Sequence, residues 1–293
     1  MYQNNTLRQC LWLIATIRQN ERLTLKALQE KWAADKMGDV LYRSSFNRYR
    51  DKILELFGLV MDCDDKYQYY FSNPGELDDH SIGSWLLSTM TVNVALADSQ
   101  EVKERIVLES VPGGEQYLPV IIKAIRLNRR LHLRYQRFGC EVSEKTVGPY
   151  VLKLWGRRWY LLVFTGNHMA TYSLDRMQSV EMTDETFEMP ADFSPELFFS
   201  EFFGVLTDMS VPLAHITVRA YGKTANYLRT LPLHHTQQEV ETTDDHTDFT
   251  VDLRPTPDFI GELLKYDRGV EVLNPPEFRL KMCEIIREML NRY

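Results

Sequence analysis

Between residues 129 and 182 the apolar residues arrive in five short runs, each ended by a glycine or a polar turn. The runs occupy 131–135, 146–152, 158–164, 170–174 and 177–182. Strands this short and this regularly interrupted predict a small, strongly curved β-barrel. Alternation sharpens the reading of the third run. Arg157 and Trp159 share a face with Leu161 and Val163, while Arg158 and Tyr160 share the other with Leu162 and Phe164. One face must be core, so Trp159, Tyr160 and Leu161 cannot all line one pocket.

Upstream the hydrophobic period changes from 2 to 3.6. Leu7, Cys10, Leu11, Ile14 and Ile17 mark a first helix, which Asn20 and Glu21 interrupt. Thr24 is placed to cap a second, carrying Leu25, Leu28 and Trp32, with a polar connection over 35–39. Ser44 or Ser45 can cap a third helix that runs to Phe57 and is closed by Gly58. Strands at 59–61 and 67–71 then flank the polar turn 62–66. Three helices followed by a hairpin is the order of a winged helix-turn-helix, here over 1–74.

On a helical wheel Phe46, Tyr49, Ile53, Leu56 and Phe57 form the core side of the third helix. Ser44, Asn47, Arg48 and Asp51 lie opposite. Asn and Arg are the residue types that make bidentate contacts to adenine and guanine, and a reading helix offers them from its N-terminal half. The expected DNA contacts are therefore Asn47 and Arg48 to bases, with Arg43, Ser44, Ser45 and Lys52 around them and Lys66 in the wing turn. Arg50, nearer the apolar side, is assigned to phosphate or to structure.

Residues 75–128 read as a helical linker and possible dimerisation region, 129–190 as the barrel, and 191–293 as a Phe-rich connector and C-terminal extension. In the extension, strands at 215–219, 236–242, 248–253 and 270–273 alternate with helices at 224–230 and 257–266, and Pro275-Pro276 opens a last helix. This β-α-β-β-α-β-α order fits a ferredoxin-like unit. The fold class is α+β and multidomain.

Composition narrows the function classes. The formal net charge of -7 argues against a protein that coats nucleic acid nonspecifically, while leaving room for a basic reading head. No apolar run is long enough to span a bilayer and the first residues lack signal-peptide order, so a cytoplasmic location is expected. Cys10, Cys63, Cys140 and Cys283 lie far apart, which favours reduced core thiols over disulfides or zinc. The seven histidines show no metal-ligand spacing, and His234 and His235 point apart if extended. No nucleophile elbow or phosphate loop is present. Neither an enzyme nor a cofactor or metal site is expected.

Taken in order, the helix-turn-helix start, Tyr135, the stretch Pro149-Tyr150-Val151-Leu152, Trp159-Tyr160-Leu161 and Tyr172-Ser173-Leu174-Asp175-Arg176-Met177 resemble the WYL-domain transcriptional regulators of bacteria. The family's R-x-D-R-I-like strand has Met177 in place of its Ile. Gly269 to Arg279, with Val270-Glu271-Val272-Leu273-Asn274-Pro275, resembles the family's C-terminal extension. The resemblance implies a winged head that binds double-stranded operator DNA, and an Sm-like barrel that senses a nucleic-acid or nucleotide-like effector. A homodimer is expected separately, from the helical linker over 75–128.

The residues agree in part. Arg129, Arg130, Arg134, Arg137, Lys145, Lys153, Arg157 and Arg158 gather in the barrel sequence, opposed locally by little besides Glu141 and Glu144, with aromatic residues between them. Cations with stacking platforms suit phosphates and bases. The expected ligand contacts are Tyr135, Arg137, Lys145, Tyr150, Arg158, Tyr172 and Arg176. Two rivals are a single-strand-binding accessory protein without operator recognition and an enzyme acting on a nucleotide held in the barrel.

Overall fold

The computed structural model describes residues 2–77, 83–85, 87–90, 92, 105 and 113–293. The chain is a mixed α/β assembly with several antiparallel sheets, and it divides into two compact units, Met1–Glu109 and Ser110–Tyr293. Most of the linker expected over 75–128, with its dimerisation role, lies outside the described residues.

The first unit runs α1 (Tyr2–Asn20), β1 (Leu23–Thr24), α2 (Leu25–Ala34), α3 (Arg43–Phe57), β2 (Met61–Cys63) and β3 (Gln68–Phe71). The Thr24 hydroxyl accepts from the Ala27 amide and caps α2. Gly58, at φ 67°, ends α3 in the left-handed conformation that glycine adopts without strain. The three strands form one antiparallel sheet in the order β1-β3-β2. Cys10, Ile14, Ile17, Leu28, Trp32, Phe46 and Ile53 meet in a single core. Full burial of a side chain such as Ile14, Leu28 or Phe46 contributes about 1.5–3 kcal/mol.

Two expectations for α3 need correcting. The helix starts at Arg43 and Tyr42 holds the N-cap without a side-chain bond, so neither Ser44 nor Ser45 caps it. The first turn is already closed by the Phe46 amide on the Tyr42 carbonyl. Leu56 is 39% exposed rather than core. It stands at the rim of the apolar face, where Phe57 takes the buried place.

The second unit opens with α4 (Leu118–Arg126), followed by β4 (Arg129–Gln136), β5 (Val142–Trp155), β6 (Arg158–Phe164), β7 (Met169–Ser173) and β8 (Met177–Thr186). These strands pair in the order β7-β6-β5-β4-β8. The run expected at 146–152 is thus the middle of a longer strand, and that at 177–182 the first part of one. β5 serves both halves of the sheet, pairing with β4 up to Val147 and with β6 from Gly148 onward. The switch falls at Gly148, where an added Cβ would lie 3.0 Å from the Phe187 ring, next to a register shift between Pro149 and Val151. Leu131, Leu133, Val147, Leu161 and Val163 fill the interior, and Ile121 and Ala124 of α4 close one end.

Arg157 does not continue the β6 face. Gly156 and Arg157 both have positive φ, 53° and 66°, as a two-residue hairpin turn between twisted strands requires.

The remainder holds α5 (Pro195–Phe199), β9 (Ala214–Tyr221), α6 (Thr224–Thr230), β10 (Gln238–Thr242), β11 (His246–Leu253), α7 (Pro257–Leu264), β12 (Val270–Asn274) and α8 (Pro276–Leu290). The sheet order is β10-β11-β9-β12. Ile216, Val218 and Ala220 alternate along β9 onto the core, facing Phe249 and Val251 of β11 and Phe259 of α7. β10 is an exposed edge with a register shift between Glu239 and Glu241. The Phe-rich connector is a bridge: Phe193 packs on Tyr150 of β5, and Phe203 lies between Trp155 of β5 and Phe259 of α7.

No helix among the described residues is long and apolar enough to cross a membrane. All four cysteines are free, but only Cys10 is buried. Cys63 and Cys140 are exposed, one on the open side of β2 and one in the β4–β5 turn, so they are not core thiols.

Candidate functional site

In α3 the residues that cannot join the core are the ones proposed to read DNA. Arg43, Ser44, Asn47 and Arg48 are exposed, and Ser45 is half-buried. The Arg48 guanidinium lies 5.4 Å from the centre of the Tyr49 ring, which supports its outward course. Lys52 is engaged with Glu55 at 2.9 Å. Arg50 is drawn inward: it donates to the Met61 carbonyl at 2.7 Å and lies over Tyr69, tying α3 to the hairpin. Lys66 stands exposed in the β2–β3 turn. Asp64 organises that turn by accepting from the Gln68 and Lys66 amides and from Arg22. These bonds, led by that from Gln68, hold the Asp64 carboxyl below its ordinary range.

In the five-stranded sheet, β4, β6, β7 and the turn after β7 bring four of the seven expected ligand residues together around Asp175. Arg158 pairs with the Asp175 carboxylate at 2.9 Å, and the Ser173 hydroxyl donates to its other oxygen. Tyr135 and Tyr172 pack edge to face with centroids 4.7 Å apart. Both rings are buried, and the Tyr135 hydroxyl accepts from the Ser173 amide. Burial raises the Tyr135 phenol above its ordinary range, with Arg176 opposing the shift. These tyrosines are therefore the floor of the cluster and not an open wall.

Arg176 is the most telling member. Its guanidinium lies 4.8 Å from the centre of the Phe138 ring and 5.7 Å from that of Tyr135. Its Nε is buried without a hydrogen-bond partner. Leaving such a donor unpaired costs free energy, which an anion at this position would recover. Phe138 itself is 76% exposed, a bare ring beside two arginines.

The other expected contacts are not gathered in. Tyr150 belongs to the aromatic bridge, stacked on Phe187 at 5.6 Å and touching Phe193. Lys145 is half-buried on β5 opposite Leu133. Arg137 stands exposed in the turn beside Phe138. The basic character is also more balanced than the local sequence implied. Arg129 pairs with Asp184 and Arg130 with Glu185, because β8 runs beside β4 and delivers distant acids, while Arg134 pairs with Glu144 of the neighbouring β5. Lys153 is withdrawn altogether, donating to the Gly204 carbonyl at 2.6 Å. Phe138 was missed by sequence reasoning, although a bare aromatic between Arg137 and a turn glycine was the available signal.

His234 and His235 lie in a turn, so the extended geometry in which they would point apart does not apply, and their ring centroids are 4.1 Å apart. Among the described residues no group of three or more His, Cys, Asp or Glu is placed to hold a metal.

Residues 116–182 match the WYL domain and residues 212–290 the WCX domain. The chain thus carries a WYL domain followed by a WCX domain. No curated protein matches the sequence. Solved structures similar to it include proteasome accessory factor B/C (PafBC) of Arthrobacter aurescens, at 20% identity over 96% of this chain and 46% of that one, with a TM-score of 0.37. Another is a CRISPR Cas-related protein, at 11% identity over 90% of this chain and 77% of that one, with a TM-score of 0.38. The chain spans about half the length of the PafBC chain.

Proposed function

We propose that this protein is a non-enzymatic, cytoplasmic transcriptional regulator whose N-terminal unit is a winged helix-turn-helix and whose WYL domain senses a nucleotide-like or nucleic-acid effector. In this reading α3 lies in the major groove, the β2–β3 turn is the wing, the five-stranded barrel with its leading helix is Sm-like, and the C-terminal sheet is ferredoxin-like. The protein acts as a homodimer on double-stranded operator DNA.

The observation that carries the proposal is the exposed N-terminal face of α3, where Asn47 and Arg48 project beside Arg43 while Phe46 and Tyr49 anchor the same turns in the core. Such a helix offers base-reading side chains on a rigid support. The effector reading is supported by Arg158, Arg176 and Phe138, which pair guanidinium groups for phosphate with a ring for stacking.

The test is fluorescence anisotropy on duplex DNA from the protein's own upstream region, against random duplex, for wild type and an Asn47→Ala, Arg48→Ala double variant. The variant is expected to lose at least about tenfold in affinity for its own DNA, as befits one or two lost base contacts, and to bind random duplex as wild type does. Equal affinity of wild type for both duplexes would sink operator recognition. Tight binding of single strands alone, lost in Arg176→Met, would favour the accessory-protein reading that the bare Phe138 ring also suits.

A further inference from the structure

A cavity of about 520 Å³ opens where the β5–β6 turn meets the C-terminal sheet module. Trp155 and Phe203 form one wall, edge to face with centroids 5.9 Å apart. Asp258, Glu262 and Tyr266 of α7 and its C-terminal turn form the other. None of these residues belongs to the cluster around Arg176.

The charge of the cavity is lopsided. Asp258 and Glu262 are four residues apart on α7 and reach the same space. One Asp258 oxygen, Oδ2, accepts from the Val205 and Leu206 amides at 2.8 Å each. Gly204, at φ 81°, is what lets this backbone approach: a Cβ there would stand 2.4 Å from the same oxygen. Among the described residues no hydrogen bond occupies the second oxygen, Oδ1. Lys153, two residues before Trp155, is spent on the Gly204 carbonyl and the Phe199 ring, and burial lowers its ammonium to about 8. Lys265 is the cation on the cavity wall, and its exposed side chain already pairs with Glu262 at 2.6 Å. Burial raises the Tyr266 phenol above its ordinary range, with Glu262 adding to the shift, so it remains a neutral hydrogen-bonding group at the rim.

We propose that this cavity binds a small organic cation, an ammonium or guanidinium carried on a flat apolar body, with the ring against the wall formed by Trp155 and Phe203 and the charge on Asp258 and Glu262. Aromatic faces and carboxylates attract the same ligand class, whereas an anion would meet two carboxylates and one lysine that is already paired. The ligand's cation displaces Lys265 outward from Glu262 at little cost, because the lysine is itself exposed to solvent and the ligand pairs the largely buried Glu262 carboxylate in its place. The site touches both the WYL strand β5 and the WCX helix α7, so its occupant joins the two domains through contacts of its own.

The experiment is isothermal titration of the full chain with tryptamine, and with indole-3-propionate as a probe of the same ring and opposite charge. Tryptamine is expected to bind at least about tenfold more tightly than the carboxylate, and Glu262→Gln or Asp258→Asn to weaken it by about tenfold or more, the loss of one charge-assisted hydrogen bond. Trp155→Leu removes the stacking wall and lowers affinity for both probes. Circular dichroism establishes that each variant folds, and Glu262→Gln leaves the Asp258 bonds to the connector intact should Asp258→Asn not fold. Equal affinity for the two probes, no tryptamine binding at millimolar concentration, or full affinity in Glu262→Gln together with Trp155→Leu would overturn the proposal. Duplex binding by α3 is read separately, so either conclusion can fail without the other.

Discussion

His234 gives the sharpest stability test. The residue is 8% exposed, its Nδ1 lies 2.8 Å from the Thr236 hydroxyl, and its ring is against His235. Burial first, then the neighbouring His235 and Lys153, lower its imidazole from the ordinary value to about 4. The unfolded chain, with an ordinary histidine near about 6.5, therefore binds the proton more readily. Stability from this group is complete above about pH 6.5 and is lost as pH falls toward about 4. The gap corresponds to about 3 kcal/mol. The carboxylates held low by their partners act in a different window. Asp248 is lowered by Arg219, and Glu239, lowered by Arg229, titrates at about 2, so their contributions are lost at more acid pH. Urea unfolding of wild type and His234→Gln from pH 7 down to about pH 4 isolates the histidine. The wild type is expected to lose about 3 kcal/mol more than the variant across the interval, and the His234 Cε1 proton to titrate near the acid end by NMR. Parallel profiles for the two proteins, or a His234 titration near about 6.5, would refute the reasoning.

Two further perturbations test the packing. Gly114→Ala places a Cβ 2.7 Å from the Leu174 backbone at φ 121°, so it should destabilise the second unit by about 2 kcal/mol or more; an unchanged melting temperature would contradict this. Asp248→Asn removes the acceptor of one of the two 2.8 Å bonds from Arg219 across β9 and β11 and the negative charge behind the other. It should cost about 2 kcal/mol in urea unfolding, since Arg219 keeps partial solvent access.

Where side-chain spacing decides structure locally, the sequence was readable. The apolar positions of α1 to α3 and the alternation along β9 place most of the core, and Thr24 and Gly58 mark helix ends by their chemistry alone. What failed were properties that strand pairing decides. The acids that neutralise Arg129 and Arg130 come from β8, more than fifty residues away in sequence. Tyr135 and Tyr172 look like ligand platforms until pairing turns both rings inward. Arg158 and Arg176 could be named from sequence, but not their division of labour, one tied to Asp175 and the other left with a buried open donor. His234 and His235 would point apart only if extended, and a turn sets their directions instead.

The exposed edge β10 limits how copies of this protein can meet. In the antiparallel register centred on Val240, a second copy's β10 would set Glu239 of each chain beside Glu241 of the other, and like charges across a strand pair repel. Glu239 is moreover held by Arg229 through two 2.8 Å bonds, and the register shift beside it spoils the ladder that a new strand would need. That rim of the sheet is guarded against polymerisation, and self-association must use some other surface.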